Sequence, residues 1–474
     1  MASLTGNTKR KKARKNGGKF AFIKGAFTIA FGGFVAKVIG ALYRIPLTNV
    51  IGGKGIGLYQ LVYPVYCLLL TVSATGIPSS LAKLTADRVG KSQSTAPVFK
   101  SAMKLFLLLG VIGSVVMALF APALSRIQGS ESVRGGYYAL APAVVLVSAI
   151  SVFRGWFQGK NQMFPTALSE IVEQAVKVGL GLFFAYKYRA QVEKAVVFLL
   201  LSVSFSELVA LGLMWWLYRR EKRKEKTVND GGRVATKHIL RMSVPVTFSA
   251  MLLPLSALLD SVLVVRLLSA YSDSAVTLYG LFSGGAVTII NLPVSVCYGL
   301  AAASIPSVAT AKARGQGVRG KIFFSLGVTV AVALPSAVGI YLFARPAVQI
   351  IYRKLASDEL DVLIRLVKTL SVSALLLSMA QTLSACLTAQ GKPRHSAFSM
   401  LVAIGVKTAT YTLLLRNEKI SIFGMAHATN LCYLVAFLLD FIYNLYETRK
   451  RKEKGRNVDG GRIRRRQRRL NESG

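Results

Sequence analysis

Five apolar stretches of this sequence carry ionisable residues that could do chemistry away from water. Lys37 and Arg44 stand two turns apart in one of them and so share a helical face. Glu170, Glu173 and Lys177 recur at i, i+3 and i+7 in another, again on one face. Glu207, Asp260 and Lys407 each sit within a separate run. Two cations at such a depth suit a phosphate-bearing ligand, because a charge-assisted hydrogen bond is about twice as strong as a neutral one. The Glu173–Lys177 face either joins that ligand site or neutralises itself as a structural network. Glu207 has no local partner in its run, which suits a proton relay. Asp260 and Lys407 suit a coupling pair, since a lone carboxylate at mid-membrane is costly. Substrate binding is therefore read at Lys37, Arg44, Glu173 and Lys177, and coupling at Asp260, Lys407 and Glu207. Arg266, Asp440 and Lys24 lie close enough to a membrane surface to snorkel.

Other chemistries find no home. Cys67, Cys297, Cys386 and Cys432 are single and apolar in context, and His238, His395 and His427 are scattered, so no metal site is expected. The run Gly52-Gly53-Lys54-Gly55-Ile56-Gly57 imitates a phosphate loop but lacks the Lys-Ser/Thr after its last glycine and a preceding strand. No serine, histidine and carboxylate cluster in any loop. The longest outer loop, about 344–365, offers only Asp358, Glu359 and Asp361 on an amphipathic turn. No catalytic residue and no cofactor are expected.

The elements that must position these residues are membrane helices. Only 17% of the 474 residues are charged, and the apolar ones fall in long blocks such as 105–124, 195–217 and 323–343. Each is long enough to cross the ~30 Å hydrocarbon core. Apolar runs predict an all-α polytopic membrane protein with about twelve spans, near 20–43, 57–82, 101–124, 136–153, 165–186, 195–218, 239–268, 276–308, 322–343, 366–389, 396–415 and 420–446. The span 276–308 is longer than one crossing needs and is expected to be tilted or broken. The net charge of +40 would suit a nucleic-acid protein, but its distribution argues otherwise. Most Lys and Arg fall on one side of the alternating loops, in 9–19, 219–241, 312–321 and 449–469. By the positive-inside rule both termini are cytoplasmic, in a bacterial cytoplasmic membrane. The basic ends can also hold anionic headgroups, at about 1 kcal/mol per residue. Nucleic-acid binding lacks motif support, and a monomer is expected.

Two short motifs recur at nearly the same separation. Ile77-Pro78-Ser79 ends the second span and Ile305-Pro306-Ser307 the eighth; Gln158-Gly159-Lys160 follows the fourth and Gln390-Gly391-Lys392 the tenth. The repeat predicts a basic N-terminus (1–19), a six-helix lobe (20–218), a basic linker (219–235), a second six-helix lobe (236–446) and a basic tail (447–474). A six-helix unit enters and leaves on one side, so the lobes are parallel, with substrate between them. Gly76 and Pro78, against Pro293 and Pro306, are the expected helix breaks and gating positions.

The segments 33–47, 55–60 (Gly-Ile-Gly-Leu-Tyr-Gln), 75–83 and 154–159 resemble the stage V sporulation protein B-like flippases. These form the polysaccharide-exporter branch of the multidrug/oligosaccharidyl-lipid/polysaccharide (MOP) superfamily, related to the lipid II flippases. The resemblance implies two lobes in a V around a cationic cavity. It also implies an undecaprenyl-pyrophosphate-linked saccharide as substrate, moved by alternating access in cell-wall, polysaccharide or sporulation chemistry. Lys37 and Arg44 match two basic residues of the first span in lipid II flippases; further basic residues of those proteins fall near Thr71 and Thr288 here. Many members carry two extra C-terminal helices, where this chain has its basic tail. The alternatives are a cation-coupled drug exporter of the same superfamily, which the cationic first span disfavours, and a membrane glycosyltransferase or polymerase, for which the longest outer loop offers only Asp358, Glu359 and Asp361.

Overall fold

In the computed structural model, residues 35, 38–40, 42–223, 236–314 and 316–471 are described, and the regular elements among them are all helical. Hydrocarbon offers no partner for backbone N–H and C=O groups, so apolar runs must satisfy them internally. The helices are α1 (42–70), α2 (Ile77–Gly90), α3 (Ala96–Ile127), α4 (Arg134–Gly159), α5 (Phe164–Lys187), α6 (Val192–Lys222), α7 (Thr236–Leu268), α8 (Ala275–Gly280), α9 (Val287–Ala313), α10 (Arg319–Leu342), α11 (Ala344–Ile351), α12 (Ser357–Ala389), α13 (Pro393–Leu414) and α14 (Phe423–Asn471).

Ten helical stretches among the described residues are long and apolar enough to cross a membrane. One, Val38–Gly90, spans 53 residues, roughly 80 Å if straight against a core of about 30 Å. Gly52 divides it. Its φ of +69° is left-handed, so the regular right-handed geometry of α1 is interrupted at this one residue, with helix on both sides. The run thus holds the second predicted span and the end of the first, 20–43, most of which lies outside the described residues. Helix α5 is also long enough to cross but carries Glu170, Glu173 and Lys177. With α5 the crossings among the described residues come to eleven, against about twelve predicted, and most of the first predicted span lies outside the described residues.

The expected break in the eighth span is a π-turn. Leu281–Ala286 separates α8 from α9, and a second π-turn, Thr71–Thr75, precedes α2. Such turns insert a residue into the helical ladder and re-aim the side chains of the next turn. The region 344–365, expected as a loop, instead forms α11 and opens α12. Asp358 and Glu359 lie in the first turn of α12, where the helix dipole favours acids. The last span also runs on: α14 continues as helix through the basic tail to Asn471.

The chain divides into two compact units, 1–288 with 348–363, and 289–347 with 364–474. In the first, α4 is the central helix, packed against α2, α3 and α6, while α5 lies along α6. Its small residues explain the close fit. A Cβ on Gly155 would lie 2.9 Å from Pro78 Cα, and one on Gly159 would lie 2.7 Å from the Ala82 carbonyl oxygen. Small residues one turn apart let membrane helices approach to backbone distance. Gly159→Leu is expected to wedge α4 off α2, costing about 1–3 kcal/mol and lowering the melting temperature of the detergent-solubilised protein. Gly179→Leu, where a Cβ meets nothing within 4 Å, should melt as the wild type does.

In the second unit, Val308, Ala311, Ile322, Leu383 and Cys386 form a buried cluster. Thr329 and Thr382 hydroxyls join at 2.8 Å, and Gln390 Nε2 donates to Asn444 Oδ1 at 2.8 Å. The repeated Gln-Gly-Lys motifs end helices in the same manner in each unit. After α4, Lys160 pairs with Glu221 at the end of α6, 3.7 Å away. After α12, Lys392 pairs with Glu447 on α14, 3.1 Å away. A left-handed residue closes each helix end, Asn161 (φ 60°) and Gly391 (φ 70°), as helix C-termini require.

A buried charge cluster in the first unit

Helices α1, α4, α5 and α6 bring five charged side chains of the first unit together. Helix α5 supplies Glu173 and Lys177, one turn apart on the face turned inward. Arg154 of α4 crosses to α5, placing Nη2 2.9 Å from Glu173 Oε2 and donating through Nε to Ser169 Oγ at 2.9 Å. The pair is 13% and 15% exposed, so its Coulomb energy is little screened by water. Gln174 Nε2 donates to the other Glu173 oxygen at 3.2 Å. Glu207 of α6 is 3% exposed; it accepts a 3.4 Å hydrogen bond from Tyr66, while its Oε2 has no hydrogen-bond partner among the described residues.

Lys177 is the unusual member. It is 8% exposed and lies within electrostatic reach of Glu173, Glu207, Arg44 and Cys67, yet it forms no hydrogen bond or ion pair among the described residues. Arg44, half-buried on α1, reaches the same group: its charge acts on Tyr59, Tyr63 and Cys67. The tyrosines stack along α1, Tyr59 on Tyr63 at 5.1 Å and Tyr63 on Tyr66 at 5.7 Å. The cluster therefore sets two cations beside an ion pair and a carboxylate, under a wall of phenols.

Several sequence expectations change here. The carboxylate Glu173 does not neutralise Lys177 on its own helix; its ion-pair partner is Arg154 of α4. Glu207 is not isolated, since Tyr66 and the cations of α4 and α5 face it. Nothing in the sequence marks Arg154 as a site residue, because it lies near the end of an otherwise apolar run. Asp440 does not snorkel; it is 3% exposed and faces Ser399 of α13. Lys37 lies outside the described residues. Asp260 is buried on α7 in the first unit and Lys407 is buried on α13 in the second.

The expected helix breaks fall at informative places. Gly76 sits between the π-turn and α2. A Cβ there would lie 2.6 Å from the Ser243 carbonyl oxygen and 2.7 Å from Thr247 Oγ1 of α7, so α2 and α7 cross in contact. Ser80 and Ser243 hydroxyls join at 2.9 Å in the same crossing. Pro78 opens α2 at its second position, and α9 continues through Pro293 and Pro306. Thr71 and Thr288 bond back to the carbonyls of Cys67 and Gly284 at 2.7 and 2.6 Å. Neither hydroxyl proton is left for a ligand.

Residues 22–312, more than half the chain and all of the charge cluster, match the family model described as polysaccharide biosynthesis protein. The chain belongs to that family. Among its relatives, stage V sporulation protein B of Bacillus subtilis (strain 168) is 26% identical over 430 residues, 86% of this chain and 81% of that one. The lipid II flippase MurJ of the same organism is 22% identical over 461 residues, 89% of this chain and 82% of that one. An inward-facing multidrug-resistance MATE-family transporter of the MOP superfamily shares the fold, with a TM-score of 0.74 over 88% of this chain and 95% of that one at 17% identity. The chain thus has the fold of that transporter, with apolar helices fit for a multi-pass membrane protein.

Proposed function

We propose that the chain flips an undecaprenyl-pyrophosphate-linked saccharide across the cytoplasmic membrane by alternating access. The observation that carries this reading is Lys177, a buried ammonium with no hydrogen bond or ion pair of its own among the described residues, beside Arg44. A buried cation held without a bonded partner is costly, and a pyrophosphate would supply the missing oxygens by charge-assisted hydrogen bonds. Lys37, on the same face as Arg44 by spacing, would extend the cationic wall. Two cations also disfavour a cationic drug as cargo. The carboxylates take a different part. Glu173 holds Arg154, and Glu207, with one oxygen lacking a hydrogen bond, would carry a proton as the site empties and refills. The charge of the loops supports cytoplasmic termini at both ends.

Depletion of the protein from cells tests the reading. The expected result is accumulation of a polyprenyl-pyrophosphate-linked saccharide at the cytoplasmic leaflet, identified by mass spectrometry of extracted lipids. Unchanged lipid-linked pools with a new sensitivity to toxic cations would instead point to drug export.

A further inference from the structure

A groove of about 380 Å³ lies on the first unit, lined by Met103, Ala149, Phe153, Leu208, Leu211, Gly212 and Trp215. Its construction follows from the packing. Helices α3 and α6 both lie along α4, so α4 supplies the floor (Ala149, Phe153) and the other two supply the walls. On α6, Leu208, Leu211, Gly212, Trp215 and Arg219 fall on one stripe, repeating every three or four residues. Gly212 keeps the groove open, since a Cβ there would meet nothing within 4 Å. Leu208 and Trp215 are about half exposed, which marks the groove as facing outward.

One end of the groove is cationic. The Arg219 guanidinium lies over the Trp215 ring, 3.8 Å from its centroid. On α3, Lys100 and Lys104 are exposed, one a turn before Met103 and the other directly after it. Phe99 stacks on Tyr218 at 4.3 Å, and Phe153 meets the same ring edge-on at 5.4 Å, which fixes the start of α3 beside the end of α6. Three cations therefore stand on the helix ends beside one end of an outward-facing apolar groove.

We propose that this groove is a binding site for an anionic glycerophospholipid, one acyl chain lying between α3 and α6 and the headgroup phosphate held by Arg219, Lys100 and Lys104. The apolar walls take the chain by burial. The cations select the headgroup, and the cation–π contact holds the guanidinium at the membrane surface, where Trp and Arg are favoured. A second copy of the chain would bring its own three cations to the same place and be repelled. The site is separate from the buried charge cluster, so it stands or falls independently of the substrate reading.

Fluorescence quenching tests it. The chain has three tryptophans, of which Trp156 is buried at 1% exposure. In a Trp216→Phe background, Trp215 is the only exposed tryptophan and reports directly on the groove. Brominated phosphatidylglycerol is expected to quench it about fivefold more effectively than brominated phosphatidylcholine, the preference given by one cation worth about 1 kcal/mol. Arg219→Gln should narrow that preference, and Arg219→Gln combined with Lys100→Gln and Lys104→Gln should bring the two lipids close together. Gly212→Leu should fill the groove and reduce quenching by both, with elution and circular dichroism unchanged. Equal quenching by the two lipids in the Trp216→Phe protein would overturn the proposal. So would displacement of the brominated lipid by undecaprenyl phosphate but not by unbrominated phosphatidylglycerol, which would give the groove to a polyprenyl chain.

Discussion

Lys177→Met is expected to weaken binding of undecaprenyl pyrophosphate to the purified transporter by about a hundredfold. A hydrogen bond to a charged group contributes about 1.5–3 kcal/mol, and each 1.4 kcal/mol is tenfold; a buried ammonium at 8% exposure belongs at the upper end. Lys177→Arg keeps the charge but must seat a wider planar group in the same space, so partial binding is expected. A bland account competes: Lys177 serves only to balance Glu173 and Glu207, which lie within its electrostatic reach. Under that account, Lys177→Met combined with Glu207→Gln restores neutrality and should restore binding. Under the ligand account the double variant binds as poorly as Lys177→Met, while Glu207→Gln alone binds as the wild type does. Recovery of binding in the double variant would remove Lys177 from the substrate site.

The membrane architecture is legible in the sequence because hydrocarbon imposes it. Blocks of apolar residues have no alternative to helices there, and most spans among the described residues agree with expectation within several residues, the start of α12 and the end of α14 excepted. The π-turn at Leu281–Ala286 is foreshadowed only as excess length in 276–308. Tertiary relations are less legible. Residues on one helical face can be read from spacing, so Glu173 and Lys177 pair by that criterion. How α5 is rotated against α4 is decided by packing across the bundle, and that rotation gives Glu173 to Arg154 instead. The same blindness hides Tyr66 beside Glu207 and turns Asp440 inward against expectation. Repeats fare better. Gln-Gly-Lys is visible twice in the chain, but the glutamates that receive its lysines, Glu221 and Glu447, are lost among basic neighbours.

The Arg154–Glu173 pair carries the largest expected effect on stability. Arg154→Leu should lower stability by about 3–5 kcal/mol, the range for removing one partner of a buried ion pair. The loss leaves Lys177 and Arg44 as the cations of the cluster beside Glu173 and Glu207, with Glu170 also within the reach of the vanished charge. It also removes the donor to Ser169 that ties α4 to α5. Glu173→Leu should cost a similar amount, because it strands the guanidinium. The double variant Arg154→Leu with Glu173→Leu is the informative one. Replacing a buried ion pair by apolar side chains is often neutral or stabilising, so most of the lost stability should return. Thermal unfolding of the four proteins in detergent measures the coupling directly. Additive losses in the double variant would mean that the two side chains support the fold separately, the arginine through Ser169 and the glutamate through Gln174.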